Sequence, residues 1–151
     1  MVLPRIGGRG CALHEPLAHE VAFLREYLLL ERVRFGDRLG VTLEVDQRLG
    51  DSPVPFLILQ PIVENAIRYG IAARAGRSQL RVGAVSTRDA MVLRVEERGA
   101  GGRVGPAESG HGVGLAITRE RLRARYGDRA TVSLTVDPDG NGSLAEIRLP
   151  A

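Results

Sequence analysis

A run of glycine constrains this chain more than any other feature. Residues 99–112 hold Gly99, Gly101, Gly102, Gly105, Gly110 and Gly112 with one proline. Glycine gives up more backbone freedom on ordering than any other residue, so the run predicts a mobile loop and not a packed element. The fold must therefore be assembled from the segments on either side. Upstream, Leu17, Val21, Leu24 and Leu28 recur at helical spacing and predict a helix over roughly 16–35, with Gly36 at its C-terminal cap. Val41, Leu43 and Val45 alternate with polar residues, which predicts a strand over 41–46. "FLILQPIVENAIRYG" predicts a second helix, capped by Asp51 or Ser52, with Pro61 early and Gly70 at its end. Leu80, Val82 and Ala84, then Met91, Leu93 and Val95, predict two strands joined by a turn at "TRDA". Beyond the glycines come a helix over 113–126 ended by Gly127, a strand at 132–136, a "DPDGNG" turn and a last strand through Ala145, Ile147 and Leu149. Strands paired by tight turns beside helices predict an α+β fold: a two-layer α/β sandwich with helices on one face of a mixed sheet. Residues 1–14 form a poorly defined N-terminal segment, and 15–151 read as one domain without internal repeats.

Composition closes several routes to function. All 21 basic residues are Arg, against 18 acidic ones, for a net charge of +3. Without Lys there is no Walker-A phosphate loop, no protein-kinase Lys–Glu pair and no Schiff-base nucleophile. Coding bias in a GC-rich genome explains the missing Lys. A single cysteine excludes a disulfide framework, and His14, His19 and His111 stand at no zinc-ligand spacing. No apolar run reaches the roughly 18 residues of a membrane span, and no secretion signal opens the chain, so a cytoplasmic setting without direct membrane contact is expected. Basic residues are scattered among acids and aromatics make up 4%, so no nucleic-acid partner is expected.

Two segments carry chemistry. Glu64 and Asn65 lie within an otherwise apolar helical stretch, and a carboxylate beside an amide oxygen suits a magnesium site or a general base. The glycine run ends in "GHGVGLAITRERL" at a helix start, where the backbone N–H groups of Gly112, Val113 and Gly114 would face an anion. A dinucleotide fingerprint would need its glycines straight after a strand, which these are not. The run begins with "VEERGAGG" at a strand end, where a carboxylate could accept from a base edge.

Together these segments resemble a known family. "VPFLILQPIVENAIRYG" is similar to the N box of sensor histidine kinases of the LytS type, "GVGLAITRERLRARYG" to their second glycine box, and "PLAHEVAFLREYLLLERVRFGDRL" to the helix before the N box. "NGSLAEIRLP" resembles the closing strand of the ATP-binding fold. The resemblance covers roughly residues 15–150 and implies the GHKL ATPase (Bergerat) fold, with ATP and Mg²⁺ as cofactors. It implies that Asn65 ligates Mg²⁺ and that Glu64 orients or deprotonates the attacking group. It puts Arg68 where a Lys often contacts phosphate, and Tyr69 where this subfamily has His. It makes residues 99–111 the ATP lid, beginning with Gly99 and Gly101, and sets Gly112, Val113, Gly114 and Leu115 in the second glycine box. Ser143 stands where a Thr often helps hold the adenine-reading carboxylate.

Departures from the family pattern lie in the first glycine box, normally DNGxG and here Glu97-Arg98-Gly99-Ala100-Gly101. Glu97 keeps the carboxylate that accepts from the adenine amino group but adds a methylene. Ile117 replaces an Asn. No acceptor-His motif occurs, so phosphate would pass to a dimerisation helix upstream or on another chain, and from there to a response regulator. The alternatives are a degenerate, non-catalytic module of the same fold, and a GHKL-type serine kinase acting on a partner protein.

Overall fold

The computed structural model describes residues 14–99 and 112–151. His14–Pro16 (β1) leads into helix α1, Leu17–Phe35, which buries Leu17, Glu20, Val21, Leu24 and Leu28 on one face. Gly36, at φ +60°, ends the helix by donating its N–H to the Arg32 carbonyl, a turn that glycine makes without a Cβ penalty. Strand β2, Leu39–Val45, follows, then a short strand β3, Pro53–Pro55, that pairs antiparallel with β1. Helix α2 runs over Gln60–Asn65 and continues as a wider π-type turn over Ala66–Ile71. Strands β4 (Ser78–Ser86) and β5 (Ala90–Gly99) form a hairpin. Helix α3 (Gly112–Tyr126) precedes β6 (Thr131–Val136) and β7 (Gly142–Pro150).

Five strands make one sheet in the order β2-β4-β5-β7-β6. β2 runs parallel to β4 because the connection through β3 and α2 is a crossover; every other pair is antiparallel. The inner face carries Leu80, Val82, Leu93, Val95, Ala145, Ile147 and Leu149, which join the buried faces of all three helices in one core. The outer face is polar, with Arg81–Glu44 and Arg94–Glu146 ion pairs at its surface. The expected two-layer sandwich with helices on one face is thus the fold observed.

Three local expectations change. Asp51 and Ser52 do not cap the second helix, which begins nine residues later than Asp51, at Gln60; residues between them form β3. Gly70 does not end it, because helical structure persists through Ile71. Gly99 is not loop but the last residue of β5, paired with Ser78, and its N–H donates to the Asn141 carbonyl at 2.9 Å.

The cap of α2 comes instead from a distant helix. Glu20 of α1, only 1% exposed, accepts hydrogen bonds on Oε1 from the N–H groups of Leu59 (2.8 Å) and Gln60 (3.3 Å). Those are donors that a helix start leaves unpaired. Just upstream, Leu57 takes a positive φ of 55°, unusual for a branched side chain, and its N–H points to Glu15 Oε1 at 3.4 Å. The other oxygen of Glu20 is buried and meets no donor among the described residues. A proton on Glu20 resolves that conflict, and burial first, then the contact with Glu15, pushes the Glu20 carboxyl from 4.5 up to about 7. The folded chain therefore binds this proton more tightly than the unfolded one. Its stabilising contribution, at most about 3 kcal/mol, is complete below the unfolded value and is lost as pH rises through the folded one. Thermal melts between pH 5 and 8 should show a falling midpoint for the native chain. Glu20→Gln, which keeps an acceptor for Leu59 and Gln60 but cannot ionise, should flatten that fall.

Candidate nucleotide site

The polar residues singled out by the sequence fall at two places along the seam between α2, α3 and the inner face of the sheet. At the first, α2 presents Asn65 to the start of α3. A Cβ built on Gly114 would lie 2.7 Å from Asn65 Nδ2 and 3.2 Å from its Oδ1, so any larger residue here would push the Asn65 amide out of its position. Asn65 Nδ2 is buried without a hydrogen-bond partner among the described residues. Buried amides are normally paired, so this one is a group with bonding capacity to spare at the N-terminal turn of a helix. Gly112 is the first residue of that helix and Val113 the second. Thr118 is buried and closes the turn by donating its hydroxyl to the Gly114 carbonyl at 2.9 Å. Leu115 is buried beneath it.

Glu64, one residue before Asn65, points outward and is exposed. Its Oε1 accepts from the Gln60 side-chain amide at 3.0 Å, one helical turn back. Tyr27 of α1 stands close by: burial first, then the charges of Glu31 and Glu64, pushes its phenol up to about 12. Tyr27 therefore stays a protonated donor beside these carboxylates. Arg68 and Tyr69 lie one turn on, with the guanidinium of Arg68 over the Tyr69 ring at 5.3 Å. That geometry leaves the charge at the exposed edge of α2.

At the second place, β5 and β7 put Glu97 and Ser143 directly opposite each other on the inner face. The Ser143 hydroxyl donates to Glu97 Oε1 at 3.1 Å. Glu97 is 2% exposed, and its carboxyl group lies flat against Gly70: a Cβ there would be 2.5 Å from Glu97 Cδ. The partner that neutralises it is Arg74, a residue the sequence did not flag. Arg74 Nη1 donates to Glu97 Oε2, and Nη2 donates to Oε1 at 3.0 Å. Arg74 Nε and Nη2 also donate to the Gly140 carbonyl, at 3.1 and 2.9 Å. The guanidinium is thereby clamped between β5 and the β6–β7 turn, 2% exposed, and the Arg38 side chain holds its backbone carbonyl at 2.5 Å. Gly99 adjoins the same group, its Cβ direction filled by Ser78 Oγ (2.5 Å) and Arg74 Cδ (2.9 Å). The carboxylate expected to meet a base edge is thus already bonded within the protein. Gly101 and the rest of the expected lid, residues 100–111, lie outside the described residues.

Ile62, Ala66, Val95, Leu115 and Ala145 form an apolar wall between the two places, with Asn65 and Ser143 at its ends. These residues are themselves buried, and the space between them is only about 10 Å³; an anion fits the Asn65–α3 end, where Nδ2 and the helix start both donate. Among the described residues no three His, Cys, Asp or Glu side chains gather into a metal site. A cation here would have the Asn65 amide as its protein ligand and would need further oxygen ligands from phosphate and water, a pattern usual for Mg²⁺. Asn65 Oδ1 would be that ligand, while the unpaired Nδ2, a donor, suits a phosphate oxygen beside it.

The profile of the histidine kinase-, DNA gyrase B-, and HSP90-like ATPase family matches residues 50–151. Sensor histidine kinase BtsS of Escherichia coli K12 is 32% identical over 134 residues, which are 89% of this chain and 23% of that protein. Sensor histidine kinase YesM of Bacillus subtilis is 32% identical over 114 residues, 74% of this chain and 20% of that protein. Sensor protein LytS of the same organism is 27% identical over 80% of this chain and 22% of its own length. The chain thus spans less than a quarter of these relatives. The catalytic domain of histidine kinase ThkA shares the fold at a TM-score of 0.61 and 16% identity, covering 91% of this chain and 95% of that domain. The histidine kinase domain of a blue-light activated kinase from Erythrobacter litoralis does so at 0.63 and 19%, covering 96% of this chain and 66% of the other.

The buried pair has a measurable signature. Arg74→Met should cost about 3–5 kcal/mol, because it strands a buried carboxylate. The Arg74→Met/Glu97→Met double variant should cost far less than the two single losses combined, as read from denaturant unfolding. Gly70→Ala should destabilise by about 1–3 kcal/mol, since the carboxylate it meets is held from both sides.

Proposed function

The chain belongs to the histidine kinase-, DNA gyrase B-, and HSP90-like ATPase family, as an ATP-binding catalytic domain of the sensor histidine kinase kind, and from that premise we propose that it delivers the γ-phosphoryl group of Mg-ATP to a histidine carried on another segment or chain. The observation that supports this reading is the Asn65 side chain at the Gly114 end of α3, whose buried Nδ2 has no hydrogen-bond partner among the described residues and can donate to a phosphate oxygen. In the transfer, the bond from the γ-phosphorus to the β–γ bridging oxygen breaks, a bond forms to an imidazole nitrogen, ADP departs and a proton leaves the ring. Phosphoryl transfer asks a protein mainly for positioning and charge neutralisation. Backbone N–H groups at the start of α3 supply part of the latter. Mg²⁺, held by the Asn65 amide oxygen and the phosphates, would supply the rest. In this reading Glu64, which is exposed at the same turn and bonded to Gln60, takes the proton. Arg68 at the outer edge of α2 keeps positive charge near the phosphates.

The acceptor histidine sits in this proposal on a dimerisation helix, and the phosphoryl group goes on to a response regulator. Among the described residues no helix is long and apolar enough to cross a membrane. The proposed setting is the cytoplasm, as the catalytic part of a sensor that can be membrane-bound. Asn65→Ala should weaken Mg-ATP binding by about ten- to a hundredfold in calorimetric titration, the order expected for one lost charge-assisted contact. Binding in excess EDTA should be the same for both proteins. An Asn65→Ala affinity equal to that of the native chain would refute the assignment. No binding of Mg-ATP at millimolar concentration would leave the non-catalytic module as the function.

A further inference from the structure

The helix that presents Asn65 is set in place by a carboxyl group on another element. Resting on the nucleotide reading above, we propose that Glu20 is a positioning residue for the nucleotide site: it holds α2 where Asn65 meets the start of α3, and it does so fully only while it carries a proton.

α2 leaves little slack between the two. It runs for six residues, from Gln60, whose N–H Glu20 Oε1 accepts, to Asn65. That is about one and a half turns, too short to absorb a displacement within itself. A shift at the cap therefore arrives at the Asn65 end. Asn65 has little tolerance for one, since its Nδ2 lies 2.7 Å from where a Gly114 Cβ would stand. Gln60 adds a second link. Its N–H bonds to Glu20, and its side-chain amide donates to Glu64 Oε1 at 3.0 Å. Both Glu64 and Asn65 thus hang from the turn that Glu20 caps.

The approach to the cap is held in the same way. Glu15 Oε1 accepts from the Leu57 N–H at 3.4 Å, at a residue whose φ of 55° leucine adopts only when its surroundings impose it. The carboxyl groups of Glu15 and Glu20 therefore fix residues 57–60 between them. They also act on each other. The charge that bears on Glu20 is that of Glu15 in β1; from α2 Glu20 meets the peptide N–H groups of Leu59 and Gln60. Its Oε2 is buried with no donor among the described residues. With a proton, Glu20 puts no charge there. Without one, a buried oxygen carries charge beside that of Glu15, and relief comes from moving apart or admitting water. Either motion takes the cap of Leu59 and Gln60 with it. Burial and Glu15 place the loss of this proton at a pH of about 7. The protonated arrangement is the one that supports Asn65, so nucleotide binding weakens as pH rises through that value.

Two measurements on the native 151-residue chain test this, one of them without nucleotide. In NMR spectra of the free chain, the side-chain amide signals of Asn65 should shift with pH in a step centred at about 7, and Glu20→Gln should abolish the step. In calorimetric titration with Mg-ATP, the native dissociation constant should equal that of Glu20→Gln at about pH 6. It should exceed it about fivefold or more at about pH 8.5, because the amide keeps an acceptor and cannot ionise. Comparing the two proteins at each pH cancels the titration of the nucleotide and of the three histidines. Glu20→Ala removes the acceptor altogether. In a protein whose melting remains cooperative it should bind about tenfold more weakly than Glu20→Gln at the lower pH. Asn65 signals without the step, or a native-to-Glu20→Gln ratio within about twofold across the range, would overturn the inference and leave the nucleotide reading in place. No binding of millimolar Mg-ATP by either protein would overturn both.

Discussion

A single inward-facing carboxylate organises the end of the sheet on which the site is built. Glu97 continues the inner face of β5 begun by Met91, Leu93 and Val95, so the strand's own alternation drives a charge towards the core. An unpaired charge there would be unsupportable. Each neighbour answers it: Arg74 neutralises it bidentately, Ser143 donates across the β5–β7 register, and Gly70 leaves space for it. Through Arg74 the same pair reaches the β6–β7 turn, and through the Arg74 carbonyl it reaches Arg38. Four separate stretches of chain therefore converge on one carboxyl group.

Most of the fold was legible because its signals are periodic. Leu17, Val21, Leu24 and Leu28 mark α1 to within a residue, and the alternating apolar positions mark β2, β4, β5, β6 and β7. β1 and β3 were not legible. They are three residues each, and prolines at 16, 53 and 55 cannot donate to a ladder, so nothing in their sequence distinguishes them from a turn. The start of α2 was misplaced for a related reason. Asp51 and Ser52 have the chemistry of a cap, but the real cap is Glu20, separated from it by about forty residues. Local sequence carries no trace of a cap supplied by tertiary contact.

The candidate site divides in the same way. Asn65 and Gly114 lie in segments whose residue pattern is itself the signal, and the structure brings them against each other. Glu97 and Ser143 were each found by resemblance, yet their alternation within β5 and β7 already turned both inward. Extending those two strands by one repeat would have paired them without any family knowledge. Arg74 had no such signal. It lies in "AARAGRS", a stretch of turn residues, and one Arg among 21 carries no mark of burial. Its role arises only when the Gly140 turn and the Glu97 strand end fold onto the same spot. The composition that first looked like a limit on function thus contains one arginine whose planar, two-pronged geometry a lysine could not reproduce.

The capping of α2 by α1 alters where this domain can be said to begin. A piece starting near residue 50 would hold the N box, both glycine-rich segments and four of the five main strands. It would lack β2, the parallel edge beside β4, and the leucines of α1 that close the core. It would also lack Glu20, leaving the helix that carries Glu64 and Asn65 with bare N–H groups at its start. The stretch matched by the family profile, residues 50–151, is therefore shorter than the unit of folding. Anyone trimming this chain for expression, or grafting it into a chimeric receptor, should make the junction ahead of His14.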